Sequence, residues 1–164
     1  MAKKKKHNVS WWKKKVWDEV SEFVRLTEAI KATGDIKMLK CCTCDKLYPA
    51  FGVGCAQAGH FVPGRSNAIL FDLRGIHGQC YNCNINLKGN WPNYLAYMLK
   101  NYGQPVIDEL LLLAKIVRQF RIDELETMYA EFRQTNAAIR SQYGKEHNQD
   151  IAQRSRIATA ENPV

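Results

Sequence analysis

Two cysteine knuckles, Cys41-x-x-Cys44 and Cys80-x-x-Cys83, constrain this chain more than any other feature. Two thiolates three residues apart in a tight turn can reach one ion at ~2.3 Å, and two such pairs complete a tetrahedron suited to zinc. Cys41, Cys44, Cys80 and Cys83 therefore read as structural zinc ligands. In a reducing compartment disulfides are not expected. Cys42 and Cys55 fit no such pairing and read as packing or incidental thiols.

The gap between the knuckles is longer than the ~15–20 residues of a simple four-cysteine module, so something is inserted there. The insert reads as two extended pieces, Gln57 to Pro63 and Ala68 to Arg74, joined by the turn formers Gly64-Arg65-Ser66-Asn67. After Cys83 a short helix can start and stop at Gly89. Knuckle, β-hairpin, then knuckle at the mouth of a helix is the layout of a treble clef, or ββα-metal unit, in which zinc stands in for a small core. The predicted fold class is α+β: such a core flanked by an N-terminal helix and a C-terminal helical hairpin.

The chain has 164 residues, 24 Lys+Arg against 16 Asp+Glu, a formal charge of +8 and 46% hydrophobic residues. That is enough for one domain with appendages, and it excludes collagen-like, mucin-like and wholly disordered chains. The longest apolar run, Leu110 to Ala114, falls far short of the ~18 residues of a membrane span. A second lysine run sits where a signal peptide needs apolar residues, so the chain is expected in the cytoplasm.

The predicted organisation is a basic arm (1–9), an N-terminal helix (10–35), the zinc-bound core (36–103), a helical hairpin (104–143) and a polar tail (144–164). Ser10 is the expected cap and Gly34 the stop of the first helix, with Trp12, Val16, Val20, Phe23 and Ile30 near one face. Asn90, Pro92 and Gly103 delimit a helix within the core. Leu110, Leu113, Val117 and Phe120 form a coiled-coil-like seam. Asp123 with Glu126 caps a last helix, where Leu125, Met128, Phe132 and Ile139 continue the stripe. These two helices pack on the first helix or form a dimer seam; the first outcome is the commoner.

His60 lies mid-strand and Asn84 directly follows the last zinc cysteine, so the metal unit is expected to bring them face to face. A neutral imidazole can take a proton from water, and a hard cation on an oxygen ligand such as Asn84 can polarise a phosphate. Arg65 in the hairpin turn could clamp a phosphate, Asp72 could supply a carboxylate to the Mg²⁺ or Mn²⁺, and His77 could bond the phosphate or the metal sphere. Lys3, Lys4, Lys5, Lys6, Lys13, Lys14, Lys15 and Lys88 are candidate DNA-backbone contacts. Each has a plainer reading: a satisfied structural histidine, a surface arginine, a solvating aspartate, a solvated lysine face.

The run Ala58-Gly59-His60-Phe61, then Arg65, Phe71-Asp72, His77-x-Gln79-Cys80-x-x-Cys83-Asn84 and Gly89-Asn90, resembles the phage NinG/Rap family of recombination endonucleases. More broadly it resembles the HNH/endonuclease VII superfamily of treble-clef nucleases. The resemblance spans about Cys41 to Tyr94. It implies a zinc-stabilised endonuclease acting on Holliday junctions and D-loops with a divalent ion, leaving 5′-phosphate and 3′-hydroxyl ends. It implies that His60 is the general base, that the four paired cysteines bind zinc, and that Asn84 is the final ligand position. Arg65 and His77 match motif positions. Where many superfamily members have an acidic residue before the base, this chain has Gly59, and the middle asparagine of the pattern falls on Gly75.

The sequence thus leads to a metal-dependent, structure-selective DNA endonuclease, with branched or duplex DNA as partner, no membrane, a homodimer available through the Leu110 to Phe120 seam, and recombination proteins as further partners. The alternative is a non-catalytic zinc-stabilised nucleic-acid-binding protein, which has no need of His60. A third reading is a scaffold in which the helices are the functional part.

Overall fold

The computed structural model describes residues 7–160, and their side chains as far as residue 144. Its elements are mixed helices and two small sheets. The first helix, α1 (Val9–Thr33), is capped by Asn8, whose side chain accepts from Trp11 N at 2.9 Å, rather than by Ser10, which falls in the first turn. Gly34 ends it in the left-handed conformation at φ 74°, its N–H on Ile30 O at 2.8 Å. Val16, Val20 and Val24, each four residues apart, turn one buried stripe inward.

Strands β1 (Met38–Lys40) and β2 (Leu47–Pro49) form one antiparallel hairpin, and β3 (Gln57–His60) pairs antiparallel with β4 (Ile76–Gln79). In the second ladder Gln57 faces Gln79 and His60 faces Ile76. The expected second strand at Ala68 to Arg74 is corrected. Those residues make turns and a 3-10 turn, Leu73–Gly75, capped by Asp72, which accepts from Arg74 N at 3.1 Å. Their apolar members Ile69 and Leu70 are buried by side-on packing, not by a ladder. All four residues of β4 are buried, so the strand shows none of the alternation that marks a half-exposed one.

Two helices follow, α2 (Trp91–Asn101) and α3 (Gln104–Leu113), each with proline in its first turn. Tyr94, Met98, Ile107 and Leu110 close a core with Phe61, Val62 and Ile69. The last helix, α4 (Ile122–Ala160), lies along α1, where Leu125 and Phe120 are buried with Val16 and Val20, and Met128, Tyr129 and Phe132 pack against them.

The predicted hairpin at 104–143 is therefore corrected: α3 belongs to α2, and α4 belongs to α1. The seam is split accordingly. Leu110 is in one core, Phe120 is in the other against Phe71 at 5.3 Å, and Val117 is exposed in the connector. Two heptads are too short to keep both helices on one stripe. Within the predicted polar tail the backbone stays helical through Ala160; after Pro105 no proline interrupts the chain before Pro163. Asp123 sits in the first turn of α4 rather than at its cap, held by Arg121 at 2.9 and 3.0 Å.

Leu125 is wholly buried between α1 and α4. Leu125→Ala should cost about 2–5 kcal/mol and lower Tm by roughly 5 °C or more in a thermal melt; an unchanged Tm would detach α4 from the core. No helix among the described residues is long and apolar enough to cross a membrane.

Candidate metal centre and adjoining cleft

Cys41 and Cys44 lie on the tip between β1 and β2, where Asp45 N donates to Cys41 O at 3.0 Å and Cys41 N to Lys46 O at 2.9 Å. Cys80 directly follows β4, and Cys83 lies in the π-helical turn Asn82–Asn86 beyond it. The four sulfurs all fall within 4.8 Å of one another, and Cys44 Sγ is 3.9 Å from Cys80 Sγ. Sulfurs ~2.3 Å from a tetrahedral zinc stand about 3.8 Å apart, so the cluster has the dimensions for such an ion.

Donors surround the sulfurs. Cys80 N donates to Cys41 Sγ at 3.3 Å, Cys83 N to Cys80 Sγ at 3.4 Å and Asn90 Nδ2 to Cys83 Sγ at 3.5 Å. Burial would raise the Cys41 thiol, but hydrogen bonds from Thr43 and from the Cys80 backbone bring it down to about 7. Burial pushes Cys44 up to about 12. A divalent cation at the centre would let four thiolates share this volume. Cys42 stays outside the cluster, packed partly buried against the α2–α3 core, while its N–H on Gly78 O at 2.9 Å ties the knuckle to β4.

Beside the cluster, β3, α1 and the π-helical turn enclose a cleft of about 480 Å³ bordered by Trp17, Gly59, His60, Arg65 and Asn84. His60 Nε2 is 3.0 Å from Leu70 O. A carbonyl only accepts, so Nε2 carries the proton and Nδ1 keeps the lone pair. The ring stacks on Trp17 at 4.6 Å and 19°, and the Arg65 guanidinium lies 4.7 Å over the same indole. Burial lowers the proton affinity of His60, and the Arg65 charge lowers it further, outweighing the Leu70 hydrogen bond. Arg65 has φ 50°, and its turn is anchored by Asn67, which accepts from Lys13 Nζ at 2.6 Å and donates to Arg118 O at 2.8 Å.

Asn84 Nδ2 donates to Gln57 Oε1 at 2.8 Å, and its Oδ1 lies 3.0 Å from where a Cβ on residue 59 would stand. Gln79 Oε1 crowds the same point, and Tyr94 Oη fixes the Gly59 carbonyl at 2.8 Å. Gln79 is wholly buried; its Nε2 donates to Gly89 O at 2.8 Å and Thr43 Oγ1 at 3.2 Å, while its Oε1 has no protein partner. A buried acceptor left unpaired costs about 1–3 kcal/mol. A Cβ at residue 59 would meet both amides, so a side chain there requires Gln79 and Asn84 to shift. Gly59→Ala should lower stability by about 1–3 kcal/mol, read as an earlier urea midpoint; an unshifted midpoint would mean the two amides move aside freely.

Two expected site residues lie elsewhere. Both Asp72 oxygens are engaged by Arg74, at 3.0 and 2.7 Å, and Arg74 also reaches Glu109 at 2.8 Å. Although burial opposes it, the Arg74 pairing holds the Asp72 carboxyl below its ordinary range. Asp72 is a turn cap, outside the cleft, because the strand expected to carry it is a turn. His77 is buried, with Nδ1 2.7 Å from Glu28 Oε1, Nε2 3.2 Å from Arg74 O, and Tyr94, Tyr97 and Tyr102 around its ring. Glu28 also accepts from Gly78 N at 2.6 Å, so His77 and Glu28 pin β4 to α1, away from the cleft.

Of the lysines, Lys14 pairs with Asp18 at 3.4 Å, Lys15 lies 5.5 Å over Trp11, and Lys88 is exposed with φ 49°. Lys3, Lys4, Lys5 and Lys6 lie outside the described residues. Trp17 carried no signal in the sequence that set it apart from its neighbouring tryptophans. Gln79 stood inside the motif without a role.

Fold and site together define a small α+β protein built round a four-cysteine cluster able to hold a metal, with a histidine–asparagine cleft beside it. The chain matches the family described as Bacteriophage Lambda NinG protein over residues 1–142, and it belongs to that family. It is 27% identical to protein ninG of Escherichia phage lambda over 133 residues, covering 80% of this chain and 59% of that one. Against protein ninG of Salmonella phage P22 it is 28% identical over 126 residues, 76% of this chain and 56% of the relative. Against protein ninG of Escherichia phage 933W it is 29% identical over 102 residues, 62% of this chain and 45% of the relative. The chain thus spans about half the length of the curated relatives it matches. No solved structure matches it.

Proposed function

We propose that the chain is a zinc-stabilised, metal-dependent endonuclease that hydrolyses phosphodiester bonds in branched DNA, with a core of the HNH and endonuclease VII kind. The observation that carries this reading is His60, whose Nε2 is committed to Leu70 O while the ring borders a cleft shared with Asn84 and Arg65. Its Nδ1 takes a proton from the attacking water, and burial keeps the ring neutral for that task. Trp17 holds the imidazole and the Arg65 guanidinium on one indole, and Arg65 steadies the phosphate through its two-pronged donor set.

Zinc on Cys41, Cys44, Cys80 and Cys83 fixes Asn84 relative to β3. The residues fit a hard cation at Asn84, whose amide nitrogen is spent on Gln57 and whose oxygen is of the type Mg²⁺ and Mn²⁺ prefer. Such an ion, when bound, polarises the phosphate and offsets charge on the leaving oxygen. Asp72 does not contribute, since Arg74 occupies both its oxygens.

The net charge of +8 supplies sequence-independent affinity for the DNA backbone that weakens with salt, and preference for junctions comes from shape. A labelled four-way junction incubated with the zinc-loaded protein tests the reading. Nicks appear with added Mg²⁺ or Mn²⁺ and are absent without it. Binding without cleavage in every metal and on every branched substrate would make the protein a nucleic-acid-binding protein instead.

A further inference from the structure

Trp17, Ser21 and Arg25 stand four residues apart on α1, and all three line the cleft. From the first to the last is about 12 Å along the helix axis. Trp17, which carries Arg65 and His60, marks one end of that wall, and Arg25 marks the other.

Arg25 is a half-buried charge without a counter-charge. Its Nε donates to Ser21 O and its Nη1 to Ala50 O, each at 3.1 Å, and the guanidinium lies 4.6 Å over Phe51. These contacts hold the group in place, but both acceptors are neutral. Cys55 Sγ is 4.0 Å from Nη1, and Glu22 is taken by Arg140 at 2.5 Å. Arg140 itself lies 4.5 Å over the same Phe51 ring and adds a like charge. Among the described residues no carboxylate is within ion-pair distance of Arg25, and its Nη2 has no protein partner. Burial disfavours the charge more than its neighbours favour it. A guanidinium withdrawn from water calls for an anion, and no lining residue of this cleft is acidic. Gln57, whose oxygen accepts from Asn84, has its amide N–H groups left to donate on the same side.

We propose that Arg25 binds a second phosphate of the DNA strand being cut, a neighbour of the one held by Arg65 at His60, and so fixes how that strand lies along α1. Phosphates of one strand advance about 3.4 Å each along a duplex axis, so a wall of this length takes more than one. The phosphate beside His60 rests on the endonuclease reading; the anion site at Arg25 rests on the unpartnered charge.

Arg25→Met keeps an apolar stem over Phe51 and removes the charge, whereas Arg25→Lys keeps the charge. Binding of a labelled four-way junction to the full-length, zinc-loaded proteins is read by fluorescence anisotropy over a range of salt, with no Mg²⁺ or Mn²⁺ added. Zinc content and a thermal melt establish that each variant is folded. Arg25→Met should bind roughly tenfold more weakly, and its plot of log affinity against log salt should be shallower by about one. Arg25→Lys should keep the original slope. An unchanged slope in folded Arg25→Met, whether or not the affinity falls, would overturn the proposal and leave Arg25 as a prop for the loop at Ala50. Should that variant fail to fold, the Arg25 Nε–H NMR signal of the unaltered protein should move when a short single strand is added, and a fixed signal would overturn it. If the slope changes as expected but no junction is cut in any metal, the phosphate site stands and the endonuclease reading falls. If junctions are cut and the slope ignores Arg25, the reverse is true.

Discussion

Cys83→Ser should leave the central part of the chain unable to fold. The strands there are only three or four residues long, and the core around the cluster consists of Cys41, Cys80 and Cys83 with Cys44 and Tyr48 against them. Hairpins of that size do not hold themselves together in water. A structural zinc supplies ~10–16 kcal/mol of folding free energy in comparable peptides, as much as the whole stability of an ordinary domain. Serine offers the ion a hard, protonated oxygen, and it leaves three thiols to share a buried volume. The variant should retain little zinc by elemental analysis and lose its cooperative melt, and a strong zinc chelator should do the same to the unaltered protein. Cys42→Ser, within the knuckle but outside the cluster, should keep its zinc. Full zinc and an unchanged Tm in Cys83→Ser would remove the cluster from the account of the fold.

His60→Ala should slow DNA hydrolysis by about 10²–10⁴-fold, the usual contribution of a positioned base, while leaving junction affinity and zinc content unchanged. The pH dependence follows from burial, which lowers the pKa of His60, helped by the Arg65 charge. The base form then survives below the reference value of about 6.5, and the acid limb of the rate profile should fall below that pH. The same shift acts on stability. A histidine whose folded pKa is depressed contributes its stability above the unfolded pKa and loses it as pH falls through the folded one. The protein should therefore become acid-sensitive below about pH 6.5, and His60→Ala should flatten that part of the curve in urea titrations at several pH values.

What could be read from the sequence was whatever depends on local spacing. The knuckles at i and i+3, the helix stop at Gly34 and the prolines opening α2 and α3 are each set by a few adjacent residues, and each has its counterpart in the fold. What depended on distant partners was not legible. His77 looked like a site residue because it stands near Cys80, yet its partner Glu28 comes from α1, forty-nine residues earlier. Asn136 is held by Glu19 across 117 residues of sequence, one of the long-range contacts that join α4 to α1.

Ala68 to Arg74 reads as a strand from its apolar residues, whereas the strand Ile76 to Gln79 carries His77 and Gln79, polar side chains that are buried only because of distant packing partners. That one misplacement carried Asp72 into the expected site. The site thus needed both levels: spacing brought the four cysteines and Asn84 together, and packing alone brought Trp17 to His60.

The most direct measurement is single-turnover cleavage of one labelled four-way junction by the unaltered protein and by His60→Ala, side by side at neutral pH in Mg²⁺, with zinc content and junction affinity matched. The account predicts nicks from the unaltered protein, a rate lower by about a hundredfold or more in the variant, and partial recovery when free imidazole is added. Equal rates in the two proteins would contradict it.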